Sequence, residues 1–140
     1  MLRVVVDPNV FVSAVIQPAG VSAEVVRAGL AGRFRVIVSP ALIAELADVL
    51  ARPKLEPYVT PDEAATLVDA IVGTAEEHDD PGSGARLLRD PGDEYLVALA
   101  TATGADLVVS GDRDLLEGSV TPSVVTPREL LARLESSDDR

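Results

Sequence analysis

Apolar residues fall into two patterns along this chain. Short continuous runs, such as Val4-Val5-Val6, lack the alternation of a half-buried strand and read as strands covered on both faces. Between them, apolar positions recur three and four residues apart, as in ALIAELADVL, which predicts helices. The first strand spans residues 2–6. A helix follows over 22–30, with Ser22 as cap and Gly32 as stop. Residues 35–38 are a second strand. Ser39-Pro40 opens a helix through Ala51, and Arg52-Pro53 ends it. Thr60-Pro61-Asp62-Glu63 opens another, running to about Val72. EEHDDPGSG, 76–84, reads as a polar loop. Asp90-Pro91 starts a further helix, broken at Gly104. Residues 106–110 and 122–125 are strands, and Pro127 opens a last helix. Strands alternating with helices imply an α/β layer structure with a mainly parallel sheet. No repeat or linker divides the chain, so 1–135 reads as one domain and 136–140 (SSDDR) as a disordered tail.

Composition narrows the function. The 140 residues are 47% hydrophobic, enough for a sizeable core, and 12 Lys plus Arg stand against 23 Asp plus Glu, a formal net charge of -11. That excess opposes binding to nucleic acid by bulk attraction. Any nucleic-acid chemistry must then rest on metal ions and local arginines. Phe11, Phe34, Tyr58 and Tyr95 are the only aromatic residues, too few for a base-stacking platform. The absence of cysteine excludes a disulfide framework, a thiol nucleophile and a cysteine zinc site. No apolar stretch is long enough to span a bilayer and no signal peptide is visible. The expectation is a soluble cytoplasmic protein with no membrane partner.

Most of the acids read as solvated surface. Four do not. Asp7 ends the first strand, at the sheet edge where open α/β folds bind ligands. An Asx-turn or helix cap is the competing reading, because Asp-Pro often starts a helix. Glu45 lies at the edge of the helix stripe Leu42, Leu46, Val49 and Leu50, at about 100° per residue; a salt bridge at the core edge would also explain it. Asp48 points to solvent. Asp93 opens DEYLVALATAT and projects onto the stripe Leu96, Leu99, Ala100 and Thr103; since Asp90-Pro91 is the better cap pair, Asp93 is left in the first turn facing inward. Asp112 follows the strand DLVVS through Gly111, with Asp114 two residues on; either could instead cap a turn.

Each of these acids falls on one edge of the sheet or faces it. Carboxylates sharing a pocket repel by about 1 kcal/mol or more per pair at roughly 4 Å, and without cations they stay partly protonated. Mg²⁺ or Mn²⁺ removes the conflict, because hard divalent ions take oxygen ligands. Two such ions about 4 Å apart bind both the attacking and the leaving oxygen of a phosphodiester.

Asp7-Pro8-Asn9, Glu45 within its helix, and RDPGDEYLVALATATGADLVVSGDRDLL together resemble the PIN-domain ribonucleases, and among them the VapC-like toxins of bacterial toxin–antitoxin systems. The likeness covers nearly the whole chain, and residues 89–116 are its most specific part. It implies a three-layer α/β/α sandwich and a metal-dependent endoribonuclease. It also implies a homodimer held inactive by a cognate antitoxin. Carried over by motif, Asp7, Glu45, Asp93 and Asp112 are the catalytic, metal-binding acids and Asp114 a further one. Asn9 and Ser110 match polar positions that orient them. Pro8 departs from the family, many of whose members have Thr or Ser there.

Arg113, between two site acids, reads either as a phosphate contact or as a salt bridge. Arg52, Lys54 and the single histidine, His78, read as surface. Leu55, Tyr58 and Val59, apolar within a loop, are candidates for the dimer surface. Rival enzymes lack their residues. A haloacid-dehalogenase phosphatase needs a second Asp where Asn9 stands, a receiver domain needs an early acidic pair and a late Lys, and a Rossmann module needs glycines after the first strand. A PIN-like scaffold that acts by binding a protein or RNA partner, without hydrolysis, is the non-enzyme alternative.

Overall fold

The computed structural model describes residues 1–81, 93–112, 116 and 122–138. Its backbone follows the order β1 (Arg3–Val6), α1 (Pro8–Ile16), α2 (Val21–Leu30), β2 (Arg35–Val38), α3 (Pro40–Leu50), α4 (Pro61–Thr74), β3 (Glu76–Glu77), α5 (Asp93–Thr103), β4 (Leu107–Val109), β5 (Ser123–Val125) and α6 (Pro127–Asp138). A short 3-10 turn, Pro53–Leu55, links α3 to α4.

Among the described residues the sheet has five strands in the order β3-β2-β1-β4-β5, and every pairing is parallel. Val5 is paired with Ile37 on one side and Val108 on the other, and all three are fully buried. The continuous valine runs therefore mean what a parallel sheet requires: both faces are covered. On one face Val5, Ile37 and Val108 pack with Leu96, Leu99 and Ala100 of α5. On the other, Val4, Val6, Val36 and Val109 pack with residues of α1, α2, α3 and α6, such as Phe11, Val25, Leu46 and Leu130. The result is the three-layer α/β/α sandwich.

Helix starts follow local chemistry. Ser39 caps α3 by accepting from the Leu42 N–H, with Pro40 at the first helical position. Thr60 and Glu63 form a reciprocal capping box on α4. Gly32, at φ 82°, supplies the left-handed turn after α2.

Several expectations are corrected. The sequence reading left residues 8–16 without an element, yet they form α1, started by Asp7 and Pro8. Its apolar positions Val10, Phe11 and Ala14 are buried at helical spacing, and so short a run is easily missed beside a strand. Ser22 is not the α2 cap: Gly20 is, without a side-chain bond. Glu76 and Glu77 pair with Ile37 and Val38 as the edge strand β3, although the segment reads as loop. An edge strand carries charge readily because one side stays open to water. The helix α6 runs to Asp138, into the segment read as a tail. Leu55 and Val59 belong to the core, whereas Tyr58 is 51% exposed. The helix start at Asp90-Pro91 lies outside the described residues, which resume at Asp93.

Candidate active site

The sheet order sets the place. From β1 the chain adds β2 and β3 on one side, then β4 and β5 on the other. The direction of growth reverses between β1 and β4. At such a switch point the connections leave the sheet in opposite directions and open a crevice at the strands' carboxyl ends. Asp7 follows β1 and Ser110, Gly111 and Asp112 follow β4, so these residues flank it.

Asp7 is 7% exposed and uses both carboxylate oxygens. Oδ1 accepts the Asn9 N–H at 2.9 Å, which caps α1. Oδ2 accepts the Ser110 hydroxyl at 2.8 Å. The capping reading of Asp7 is thus correct, and it leaves the second oxygen for the site. Ser110 is fully buried, and its Oγ also accepts the Asp112 N–H at 2.9 Å. One serine therefore holds the Asp7 carboxylate and the backbone of Asp112. The ladder holds it there: the Asp7 N–H donates to the Val109 carbonyl at 2.9 Å and the Ser110 N–H to the Val125 carbonyl at 3.0 Å.

Burial pushes the Asp7 carboxyl above its usual range. The hydrogen bonds from Asn9 and Ser110 oppose that rise, and the nearby charge of Asp112 adds to it. Like charge and dehydration together make this a place where a cation is favoured.

The two acids open into a cleft of about 270 Å³ lined by Asp7, Asn9, Val10, Ser13, Ser22, Gly111, Asp112 and Pro127. The lining brings Ser13 and Ser22 into the site; sequence reasoning passed over Ser13 and read Ser22 only as a helix cap. A signal existed for Ser13: it lies four residues after Asn9, on the same face of α1 once that helix is recognised. An apolar cavity of about 10 Å³ beneath α2 has room for one water at most.

The remaining site residues stand differently. Glu45 lies half-buried in the second turn of α3, apart from the cleft lining. Asp93 is the first residue of α5; where its side chain faces lies outside the described residues, as do Asp114 and Arg113. The backbone still locates Asp93. Tyr95 bonds Ser39 just past the carboxyl end of β2, while the Gly104 carbonyl accepts from Arg3 at the amino end of β1. Helix α5 thus runs antiparallel to the strands, and its first turn lies on the same sheet edge as Asp7 and Asp112. Among the described residues, no three His, Asp or Glu side chains come together as a metal site.

Two polar clusters escaped sequence reasoning. Ser39 (fully buried) and Tyr95 (3% exposed) share a hydrogen bond of 2.5 Å, and the Tyr95 hydroxyl donates to Asp80 Oδ1 at 2.5 Å. Burial raises the Asp80 carboxyl, but the hydrogen bonds from Tyr95, Ala41 and Ser39 outweigh it and leave the group below its usual range. Burial and the Asp80 charge hold the Tyr95 hydroxyl protonated, far above the ordinary tyrosine value. The second cluster joins Arg3 to Glu76, and Glu76 to the His78 ring. His78 is therefore a half-buried partner in an ion-paired group, not plain surface. Arg52 pairs with exposed Asp48 at 4.0 Å, in keeping with a solvated surface.

A sequence model of the PIN domain matches residues 3–114. The chain belongs to the PIN-domain family. It is 23% identical over 144 residues to the uncharacterised protein MJ1680 of Methanocaldococcus jannaschii, covering 96% of this chain and 92% of that one. Its fold is similar to the crystal structure of PAE2754 from Pyrobaculum aerophilum, with a TM-score of 0.67 and 16% identity over 96% of this chain and 90% of that one. It is also similar to VapBC2 from Rickettsia felis, solved bound to a DNA fragment from the promoter, with a TM-score of 0.60 and 12% identity over 89% of this chain and 98% of that one.

Proposed function

We propose that this protein is a metal-dependent endoribonuclease, acting as the toxin of a type II toxin–antitoxin pair. The observation that carries the reading is that Asp7 and Asp112 line one cleft at the switch point of a PIN-family sheet, where buried Ser110 bonds the Asp7 carboxylate and the Asp112 backbone N–H. The donors fit Mg²⁺ or Mn²⁺: they are oxygens, and the buried Asp7 carboxyl is raised by dehydration and like charge. Asp7, Asp112 and Asp93 would hold the ion, with Glu45 and Asp114 as further acids. A divalent ion held there would supply positive charge against the phosphate and acidify water.

The chain's own groups do the rest. Ser110 and the Asn9 N–H fix the Asp7 carboxylate so that both oxygens keep lone pairs for the cleft. Glu45, on α3 and apart from the cleft lining, would act through a metal-held water, binding it or helping to deprotonate it. Ser13, Ser22 and Asn9 offer neutral donors to phosphate oxygens along the cleft, where a chain of net charge -11 offers little bulk attraction. Arg113 pairs with a phosphate. The protein acts in the cytoplasm as a homodimer. Among the described residues, no single helix is long and apolar enough to cross a membrane. The likeness to VapBC2 supports an antitoxin partner, and an acidic cleft suits a basic inhibitory peptide.

RNA cleavage by purified protein with Mn²⁺ or Mg²⁺ tests the reading, beside Asp7→Asn, Asp93→Asn and a chelator control. Cleavage lost in all three controls is expected. Full activity in either variant would sink the assignment. The alternative is a scaffold that binds RNA or protein without hydrolysis. A wild type that binds RNA and never cuts it would establish that one.

A further inference from the structure

Resting on the nuclease reading above, we propose that Tyr95, with Ser39 and Asp80, is a positioning residue that locks the first turn of α5, and with it Asp93, against the start of α3. With the Tyr95 hydroxyl donating to Asp80, the three side chains form one network in which the Ser39 proton lies between Tyr95 and Asp80. Asp80 accepts two protons on Oδ1, from the Tyr95 hydroxyl and from the Ala41 N–H at 3.0 Å. With its proton committed to Asp80, the Tyr95 oxygen accepts from Ser39. Ser39 in turn accepts from the Leu42 N–H at 3.3 Å. Two amides of the first turn of α3 thus anchor the chain, and Tyr95 is the one link that comes from α5.

The position gives the network its purpose. Along its middle α5 meets the sheet through apolar contacts of Leu96, Leu99 and Ala100, which resist separation more than sliding, and Arg3 holds its far end through the Gly104 carbonyl; among the described residues Tyr95 gives the directional contact at its first turn. A hydrogen bond is directional and fixes that register. Tyr95 lies two residues after Asp93 in the same turn, and the turn it grips carries α3 on to Glu45. The latch therefore joins two elements that bear expected metal ligands but lie off the β1–β4 crevice. Losing a group bonded directly to a metal ligand typically costs about 10- to 100-fold in affinity; Tyr95 acts one step further out, through the placement of the helix that carries Asp93.

Tyr95→Phe keeps the ring in the core and removes only the link; Ser39 remains close enough to bond Asp80 directly. The test is calorimetric titration of Mn²⁺ alone into the full chain: wild type, Tyr95→Phe, Asp93→Asn and the double variant. Tyr95→Phe is expected to weaken Mn²⁺ binding by about 10-fold, the low end of that range. In the Asp93→Asn background the same change should cost less than about twofold, because the residue it positions is already disabled. Asp80→Asn keeps an acceptor oxygen and should stay near wild type, and Asp80→Ala should cost less than Tyr95→Phe because the Tyr95–Ser39 bond remains. Wild-type affinity in Tyr95→Phe, or equal losses in both backgrounds, overturns the inference alone. A wild type that binds no Mn²⁺ overturns the nuclease reading and the inference together.

Discussion

At the scale of single residues, Asp7 and Ser110 carry the sharpest expectations. The folded pKa of Asp7 lies above its unfolded value, so its ionisation opposes folding as pH rises past the unfolded value. Asp7→Asn keeps an acceptor for the Asn9 N–H and removes that penalty. At neutral pH without metal it should unfold at a higher temperature than wild type, and it should cut no RNA; thermal melts in chelator and a cleavage assay check the two halves. Ser110→Ala strands a buried carboxylate and the Asp112 amide at once. A loss of about 1–3 kcal/mol in denaturant unfolding is expected, with weaker Mn²⁺ binding. Asp48→Asn touches only a surface pair and should shift stability by less than about 0.5 kcal/mol. A larger change would place Asp48 in a role that its exposure does not suggest.

At the scale of elements, the caps explain why helix starts were legible. Ser39-Pro40 and Thr60-Pro61-Asp62-Glu63 encode their bonds within four residues, and the structure forms them. Thr60→Ala should cost about 1 kcal/mol in chemical denaturation with no effect on the site. The same locality explains the failures. Nothing in Glu76-Glu77 says strand, because that strand exists only through its pairing with β2. Leu55 and Val59 read as loop because their neighbours are polar, yet both pack into the core beneath α4. Of the site, Asp7 and Ser110–Asp112 were legible because each follows a strongly apolar strand. Ser13 was not, because α1 went unrecognised.

At the scale of the whole molecule, two electrostatic behaviours follow. Arg3 and His78 hold the Glu76 carboxyl down to about 2, the hydrogen bond from Arg3 being the larger cause. A folded pKa below the unfolded value contributes stability that is complete above about 4.5 and is lost as pH falls towards about 2. Acid unfolding of Glu76→Gln should lack that contribution, so the gap between variant and wild type should close as pH drops through this window. A gap that stays constant would show that the ion pair contributes nothing. Metal should act on the whole fold as well: an ion bound only by the native state stabilises it by about 2.7 kcal/mol at a hundredfold excess over Kd. Mn²⁺ should raise the Tm of the wild type and leave that of Asp7→Asn nearly unchanged.

By itself the sequence determined the layers and the edge. Uninterrupted apolar runs cannot face water, so they had to become interior strands of a parallel sheet, with acids where those strands leave the core. Local hydrogen-bonding chemistry likewise dictated where α3 and α4 begin. Tertiary structure alone decided which acids meet. Asp7 and Asp112 are 105 residues apart in the chain and come together because β1 pairs with β4 in one register, Val6 against Val109. It alone decided that Ser110 bonds the Asp7 carboxylate and the Asp112 backbone, and that Tyr95, Ser39 and Asp80 close a polar chain across three separate segments. Periodicity reports which face of an element is buried; which polar groups face one another depends on the register between elements, and that is fixed only when the core packs.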